Sequence, residues 1–351
     1  MTTTQVNVLN IALMAASLAA ALALPFELFL LAYAILGPLH YLTEISWLHD
    51  RQWFVPGRRD GWPLLACAVL VPLGSAAVLG ASGTAALDRA GIGAWLADHT
   101  TELTFLAFGI ALLFVLTRDL RLRLGGALLL LAGAAWMRVP PGAGMEALVG
   151  SLYWTFFAAY LTTLVHVFVF TGLFILWGAL KARSASGYLS LAVFLACAAA
   201  PFLLPATPYD ASPWARASYG ENFVGLSQVL LHDVFRVPLH ALGNVDLFSD
   251  EASVRLMRFM AFAYTYHYLN WFSKTSVIGW QKVSRARLAA VVVLWGASLA
   301  VYAWNYAAGL RWLFALSFAH VLLEFPLNHR SFLGIGQELA ARLRRPETSR
   351  A

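Results

Sequence analysis

The chain has 351 residues, of which 60% are hydrophobic and only 12% charged, with a mean hydropathy of +0.69. A soluble domain carries about 25% charged residues, so this composition excludes an ordinary soluble enzyme and implies a polytopic membrane protein. Two cysteines, Cys67 and Cys197, both inside apolar runs and with no CxxC, exclude a disulfide framework and a thiolate metal site.

In chain order the apolar runs predict ten membrane spans, at about 7–24, 26–49, 62–80, 102–118, 123–138, 146–181, 187–204, 254–276, 287–306 and 310–333. Met1 to Asn7 carries no Lys or Arg and no small-residue cleavage site follows, so the start does not read as a cleavable signal. Pro25 separates the first two spans. The sixth run is too long for one upright span, so it tilts or begins along the interface near Trp154 and Tyr160. The fold class expected is all-α: a single transmembrane helical bundle over 1–351, with a polar outer loop at 205–253 and a basic tail at 334–351.

Charge placement gives the orientation. With the N-terminus inside, the cytoplasmic loops collect Arg51, Arg58 and Arg59, then Arg118, Arg121 and Arg123, then Lys181 and Arg183. Lys274, Lys282, Arg285 and Arg287 follow, and the tail adds Arg330, Arg342, Arg344, Arg345 and Arg350. These are most of the 24 basic residues, as the positive-inside rule requires. The pI of about 9.5 is thereby explained by topology, and no nucleic-acid partner is needed. Both termini are expected in the cytoplasm and the protein in a bacterial inner membrane. Its expected partners are the lipid bilayer and a hydrophobic small molecule. The sequence does not fix an oligomeric state.

The outer loop contains Gly225 to His240, whose apolar residues recur at helical spacing and predict a short amphipathic helix. His232, Asp233, His240 and Asp246 are metal-ligand types, although exposed histidines in a loop are usually solvated groups. No GxGxxG, GxxxxGK[ST], GxSxG or HExxH pattern occurs, which leaves phosphate-loop, α/β-hydrolase and zincin chemistry without support.

One pattern occurs twice. His40-x3-Glu44-x4-His49 precedes Arg51, and His320-x3-Glu324-x4-His329 precedes Arg330. On a helix, residues four apart share a face, so His40 with Glu44, and His320 with Glu324, each set an imidazole beside a carboxylate. The third histidine falls on the opposite side, and His49 and His329 read as interfacial groups, with a bend at Pro326 able to return His329. Counting back from the basic residue that ends each span puts Glu44, Glu324 and His267 about 10 Å below the inner surface. The same count puts His40 and His320 at about 15 Å and His166 at about 22 Å. Six ionisable side chains from four spans therefore share the inner half of the bilayer, where each costs at least roughly 2.5–3.5 kcal/mol unless paired or functional.

A metal accounts for this convergence. His40, Glu44, His166, His267, His320 and Glu324 supply enough ligands for one or two non-haem iron ions, and the donor set admits Zn or Mn as well. Tyr41, Tyr264, Tyr268 and Asn270 are placed to orient ligands, with Thr43, Tyr266 and Asn305 as further polar neighbours. Glu44 and Glu324 are the candidate catalytic carboxylates, acting on protons beside the metal. Two readings without a non-haem metal use the same residues: a proton- or ion-coupled transporter, and a haem-binding electron carrier. A fourth is structural, in which each His–Glu pair merely neutralises itself across one turn.

Gly37-Pro-Leu-His40-x3-Glu44, with later histidines in membrane spans, resembles the bacterial membrane-embedded carotene-cleaving dioxygenases. The likeness covers the histidine-bearing ends of spans two, eight and ten. It implies a multi-span inner-membrane protein that holds non-haem iron, with ligand roles for His40, His267 and His320. That family has an Asp where Glu44 stands and a pair of histidines where His267 is single, and carotene is not carried over as the substrate. The expected function is thus an iron-dependent oxygenase working on a lipid-soluble substrate.

Overall fold

The computed structural model describes residues 1–57, 59–74, 91–138, 152–206 and 208–344. Among the described residues all regular structure is helical. The principal helices are α1 (Thr3–Ala23), α2 (Pro25–Asp50), α3 (Trp62–Gly74), α4 (Gly93–Asp98), α5 (Thr100–Leu116) and α6 (Leu120–Met137). They continue with α7 (Leu152–Ala182), α8 (Ala185–Leu203), α9 (Pro213–Asn222), α10 (Val224–Phe235), α11 (Glu251–Ser273), α12 (Arg285–Trp304) and α13 (Tyr306–Leu343).

Local chemistry sets their ends. Thr2 and Gln5 close a capping box at the start of α1, each side chain bonding the other's backbone N–H at 3.2 and 2.8 Å. Pro25 occupies the first turn of α2, where its missing N–H costs nothing. The Asp250 carboxylate accepts from Ser253 N–H at 3.0 Å and caps α11. Asn305 ends α12 in an extended conformation and accepts from Ala308 N–H at 2.8 Å to start α13.

Among the described residues seven helices are long and apolar enough to cross a membrane: α1, α2, α6, α7, α8, α12 and α13. The other three expected spans meet shorter or more polar helices, and residues 75–80 and 146–151 of the expected spans lie outside the described residues. Residues 62–80 meet α3, which is described only to Gly74. Residues 102–118 meet the 17-residue α5, and residues 254–276 meet α11. Helix α11 is long enough, but Tyr264, Thr265, Tyr266, His267, Tyr268 and Asn270 lower its hydropathy. Helix α13 does not end near residue 333; it continues to Leu343, where Arg342 donates to the Leu180 carbonyl at 3.0 Å. The first part of the expected basic tail is therefore helix, while Arg58, Arg345 and Arg350 lie outside the described residues. The outer loop holds the expected amphipathic helix as α10, which ends at Arg236 in the left-handed region (φ 59°). It also holds α9, opened by Ser212 and Pro213, which apolar spacing did not signal.

The chain packs as two compact units, Met1–His40 with Lys181–Leu310, and Tyr41–Leu180 with Arg311–Ala351. In the first, α11 is central and packs on α1, on α8 and on the start of α2. Its core is aromatic, with Phe26, Phe29, Phe194, Phe262, Tyr266 and Tyr268 fully buried. The Tyr266 hydroxyl donates to Asn10 Oδ1 at 3.1 Å and the Ser273 hydroxyl reaches the same oxygen at 3.1 Å, tying α11 to α1. In the second unit α5 packs on α3, α6 and α7. Its core is aliphatic and includes Leu48, Leu64, Val71, Leu161, Val321 and Leu322, with Phe170 and Phe325.

Two stretches are π-helical rather than α-helical: Ala32–Leu36 in α2, which ends four residues before His40, and Phe156–Phe170 in α7, which contains His166. Such widened turns are rare and occur frequently at functional sites.

Candidate metal centre

The histidines pair across helices. In the first unit, His40 on α2 and His267 on α11 approach Nε2 to Nε2 at 3.1 Å. His40 is buried and His267 half-buried. Tyr268, Trp271 and Phe272, all on α11, surround the His40 ring at centroid distances of 5.2, 5.5 and 6.4 Å. These aromatic side chains pack against the ring and help to bury it.

In the second unit, His166 on α7 and His320 on α13 approach Nε2 to Nε2 at 2.9 Å, both buried. Their surroundings are polar. The Glu324 carboxylate lies 3.1 Å from His166 Nδ1. Glu44 and Glu324, both buried, share a side-chain hydrogen bond, which requires a proton on one of them. The Tyr41 ring stacks on His320 with centroids 4.1 Å apart and planes 27° from parallel.

Two nitrogens each about 2.1 Å from one metal stand about 3.0 Å apart at a right angle and about 3.4 Å apart at the tetrahedral angle. The observed 3.1 and 2.9 Å fall in the range of two nitrogens sharing one metal and also in that of an N–H···N hydrogen bond. Neutral imidazoles are also the metal ligands whose second ring nitrogen is usually held by a carboxylate or carbonyl, as Glu324 is placed to hold His166 Nδ1. Among the described residues, His40, His166, His267 and His320 make up a group that could hold a metal ion.

Each sequence expectation can now be placed. Contacts between helices join these groups: His40 meets His267, and Glu324 meets His166. The carboxylates stand behind the second histidine pair, on its Nδ1 side. Tyr41 and Tyr268 lie against histidine rings, as expected of orienting groups. Tyr264 instead joins Phe29 and Tyr33 at centroid distances of 5.2 and 5.8 Å. Asn270 accepts from the Tyr266 hydroxyl at 3.4 Å and belongs to the α1–α11 contact. Asn305 caps α13. Trp271 and Phe272 lie against His40 without having been singled out; their spacing from His267 along α11 was the available signal.

His49 is exposed, 3.4 Å from Asp50, in keeping with an interfacial group. His329 is not interfacial. It is buried, its Nε2–H donates to the Phe108 carbonyl at 2.8 Å, and its ring lies 4.3 Å from that of Phe108. The reason is that α13 runs on past Arg330, so that residue does not mark the end of the helix. In the outer loop His232 Nδ1–H donates to the Val237 carbonyl at 2.9 Å. Asp246 holds a turn: the Ser249 hydroxyl and the Phe248 amide bond its carboxylate and keep it below the usual carboxylate range. His232, Asp233, His240 and Asp246 do not come together as a ligand group among the described residues.

Comparison with models of known families, with curated proteins and with solved structures gives no match. The functional argument therefore rests on this chain's own residues.

Proposed function

We propose that the two histidine pairs bind one non-haem metal ion, preferably iron, and that the protein is a membrane oxidoreductase acting on a lipid-soluble substrate with dioxygen. The observation that carries this reading is the Nε2···Nε2 separation of 3.1 and 2.9 Å in two pairs built on different supports. Imidazole nitrogens would suit iron, and the buried carboxylates beside them extend the donor set to iron or manganese. Four imidazoles would leave coordination positions open, and iron there would supply the redox chemistry that no side chain of this cluster can.

The chain's own groups then have definite tasks. Glu324 keeps the His166 proton on Nδ1 and directs the Nε2 lone pair to the metal. Glu44, hydrogen-bonded to Glu324, sets that carboxylate and carries the proton the pair shares. Tyr41 fixes the plane of His320. Tyr268 and Trp271 fix His40 and keep water from its ring. The buried, aromatic lining suits an apolar substrate drawn from the bilayer, as the resemblance to the carotene-cleaving dioxygenases would have it.

A second reading has its own support. Glu44, Glu324, His166 and His320 form a series of groups each within hydrogen-bond reach of the next. Without a metal the same series would conduct a proton, as in an ion-coupled transporter. A haem carrier fits less well. In such a carrier the carboxylates beside the second histidine pair would have no task.

Metal analysis with an absorption spectrum of the purified protein decides among these. Stoichiometric iron without a Soret band supports the oxidoreductase. A metal-free protein whose proton-driven uptake is lost in Glu44→Gln supports transport. A Soret band supports haem.

A further inference from the structure

The connection between α2 and α3 bounds a cavity of about 740 Å³ that none of the four paired histidines lines. Its walls include Asp50 at the end of α2, Trp53, Arg59 and Gly61 in the connection, and Trp62 and Leu65 in the first turn of α3. The connection is strained. Gln52, Trp53 and Phe54 have φ of 50°, 56° and 58°, three successive non-glycine residues in the left-handed region that L side chains avoid. Such strain persists where the surroundings over-determine it, and it gathers at ligand clamps. Here it turns the Trp53 indole onto Gly61, where a Cβ would collide with the indole Cδ1. Strain and glycine together set one aromatic wall of the cavity.

The lining is chemically mixed. A carboxylate, a guanidinium and two indoles face one volume together with Gln52 and the His49 imidazole, which lies 3.4 Å from Asp50, and that volume lies within the roughly 300–1,000 Å³ of small-molecule sites. A guanidinium recognises a phosphodiester by paired hydrogen bonds. A carboxylate and an indole face recognise an ammonium. A simple anion would be repelled by Asp50, and a simple cation by Arg59. The cavity lies where one apolar helix ends and another begins, the level at which tryptophans meet lipid headgroups. We propose that this cavity binds the head of a zwitterionic aminophospholipid, its phosphodiester on Arg59 and its ammonium between Asp50 and the indoles, with the acyl chains running along α3. The proposal does not depend on the metal reading.

Native mass spectrometry of the full-length protein in detergent tests it, with short-chain phosphatidylethanolamine as the probe. One saturable adduct is expected. Phosphatidylglycerol of the same chain length, and phosphoethanolamine without chains, should each bind at least about tenfold more weakly, a difference of roughly 1.4 kcal/mol. Arg59→Ala and Asp50→Asn, both at exposed positions, should each weaken the phosphatidylethanolamine adduct by a similar factor while melting temperature holds. The adduct should persist in His320→Ala, which separates this site from the metal centre. Equal binding of phosphatidylglycerol would overturn the zwitterion assignment, and equal binding of phosphoethanolamine would overturn the lipid. Unchanged binding in both cavity variants would overturn the site itself.

Discussion

The two histidine pairs reach nearly the same nitrogen separation by opposite means. The His40–His267 pair sits among indole and phenyl rings, and its geometry comes from packing. The His166–His320 pair sits before two carboxylates and beneath one tyrosine, and its geometry comes from charge and hydrogen bonding. Two independent solutions to one spacing imply that the spacing itself is what the residues serve. A hydrogen bond between two imidazoles would also set Nε2 against Nε2, so metal content is the measurement that separates a metal centre from a structural contact.

That contrast can be broken at several points. The largest effect is expected from His320→Ala and His267→Ala, each of which should bring bound metal from stoichiometric to near background by elemental analysis; retention in both would end the metal reading. Next, Glu324→Gln should weaken metal binding by about 10–100-fold, the usual consequence of losing a histidine's outer partner, measured by competition with a chelator. Trp271→Ala should lower stability by about 3–5 kcal/mol while metal affinity of the folded fraction changes less than in Glu324→Gln. If Trp271→Ala proved the more damaging to affinity, the packing-versus-charge distinction would be wrong. His329→Leu should cost about 0.5–1.5 kcal/mol in thermal melting, since it removes one buried hydrogen bond while the Phe108 carbonyl keeps its helical partner, with metal content unchanged. The smallest effect is expected for His232→Ala, whose metal content should equal that of the parent; a loss there would move the centre to the outer loop.

Much of this was legible in the sequence because burying an ionisable group in a bilayer is costly. His40, His166, His267 and His320 stood out as the charges that apolar spans tolerated, and they are the four that pair. The helical class followed from the same apolar runs. What the sequence could not reveal was partnership. Spacing of four along one helix set His40 beside Glu44 and His320 beside Glu324, but it could not show that His40 would meet His267 or that His320 would meet His166. Helix ends were the other failure. Arg330 looks like a terminus because cations collect at inner surfaces, yet α13 continues through it, and His329 is buried as a result. Helix α11 shows the converse: its polar tyrosines weaken the hydropathy of a segment that is among the most buried in its unit.

The π-helical stretch around His166 has one consequence for how this protein changed over time. A widened turn accommodates an extra residue without lengthening the helix by a full step. Deleting one residue between Phe156 and Val165 would shift every preceding side chain by one position relative to His166, a rotation of roughly 80–100° about the helix axis. Lineages of this chain should accordingly tolerate substitutions along that stretch far more readily than length changes, because a single lost codon there would rotate an imidazole out of its partner's reach.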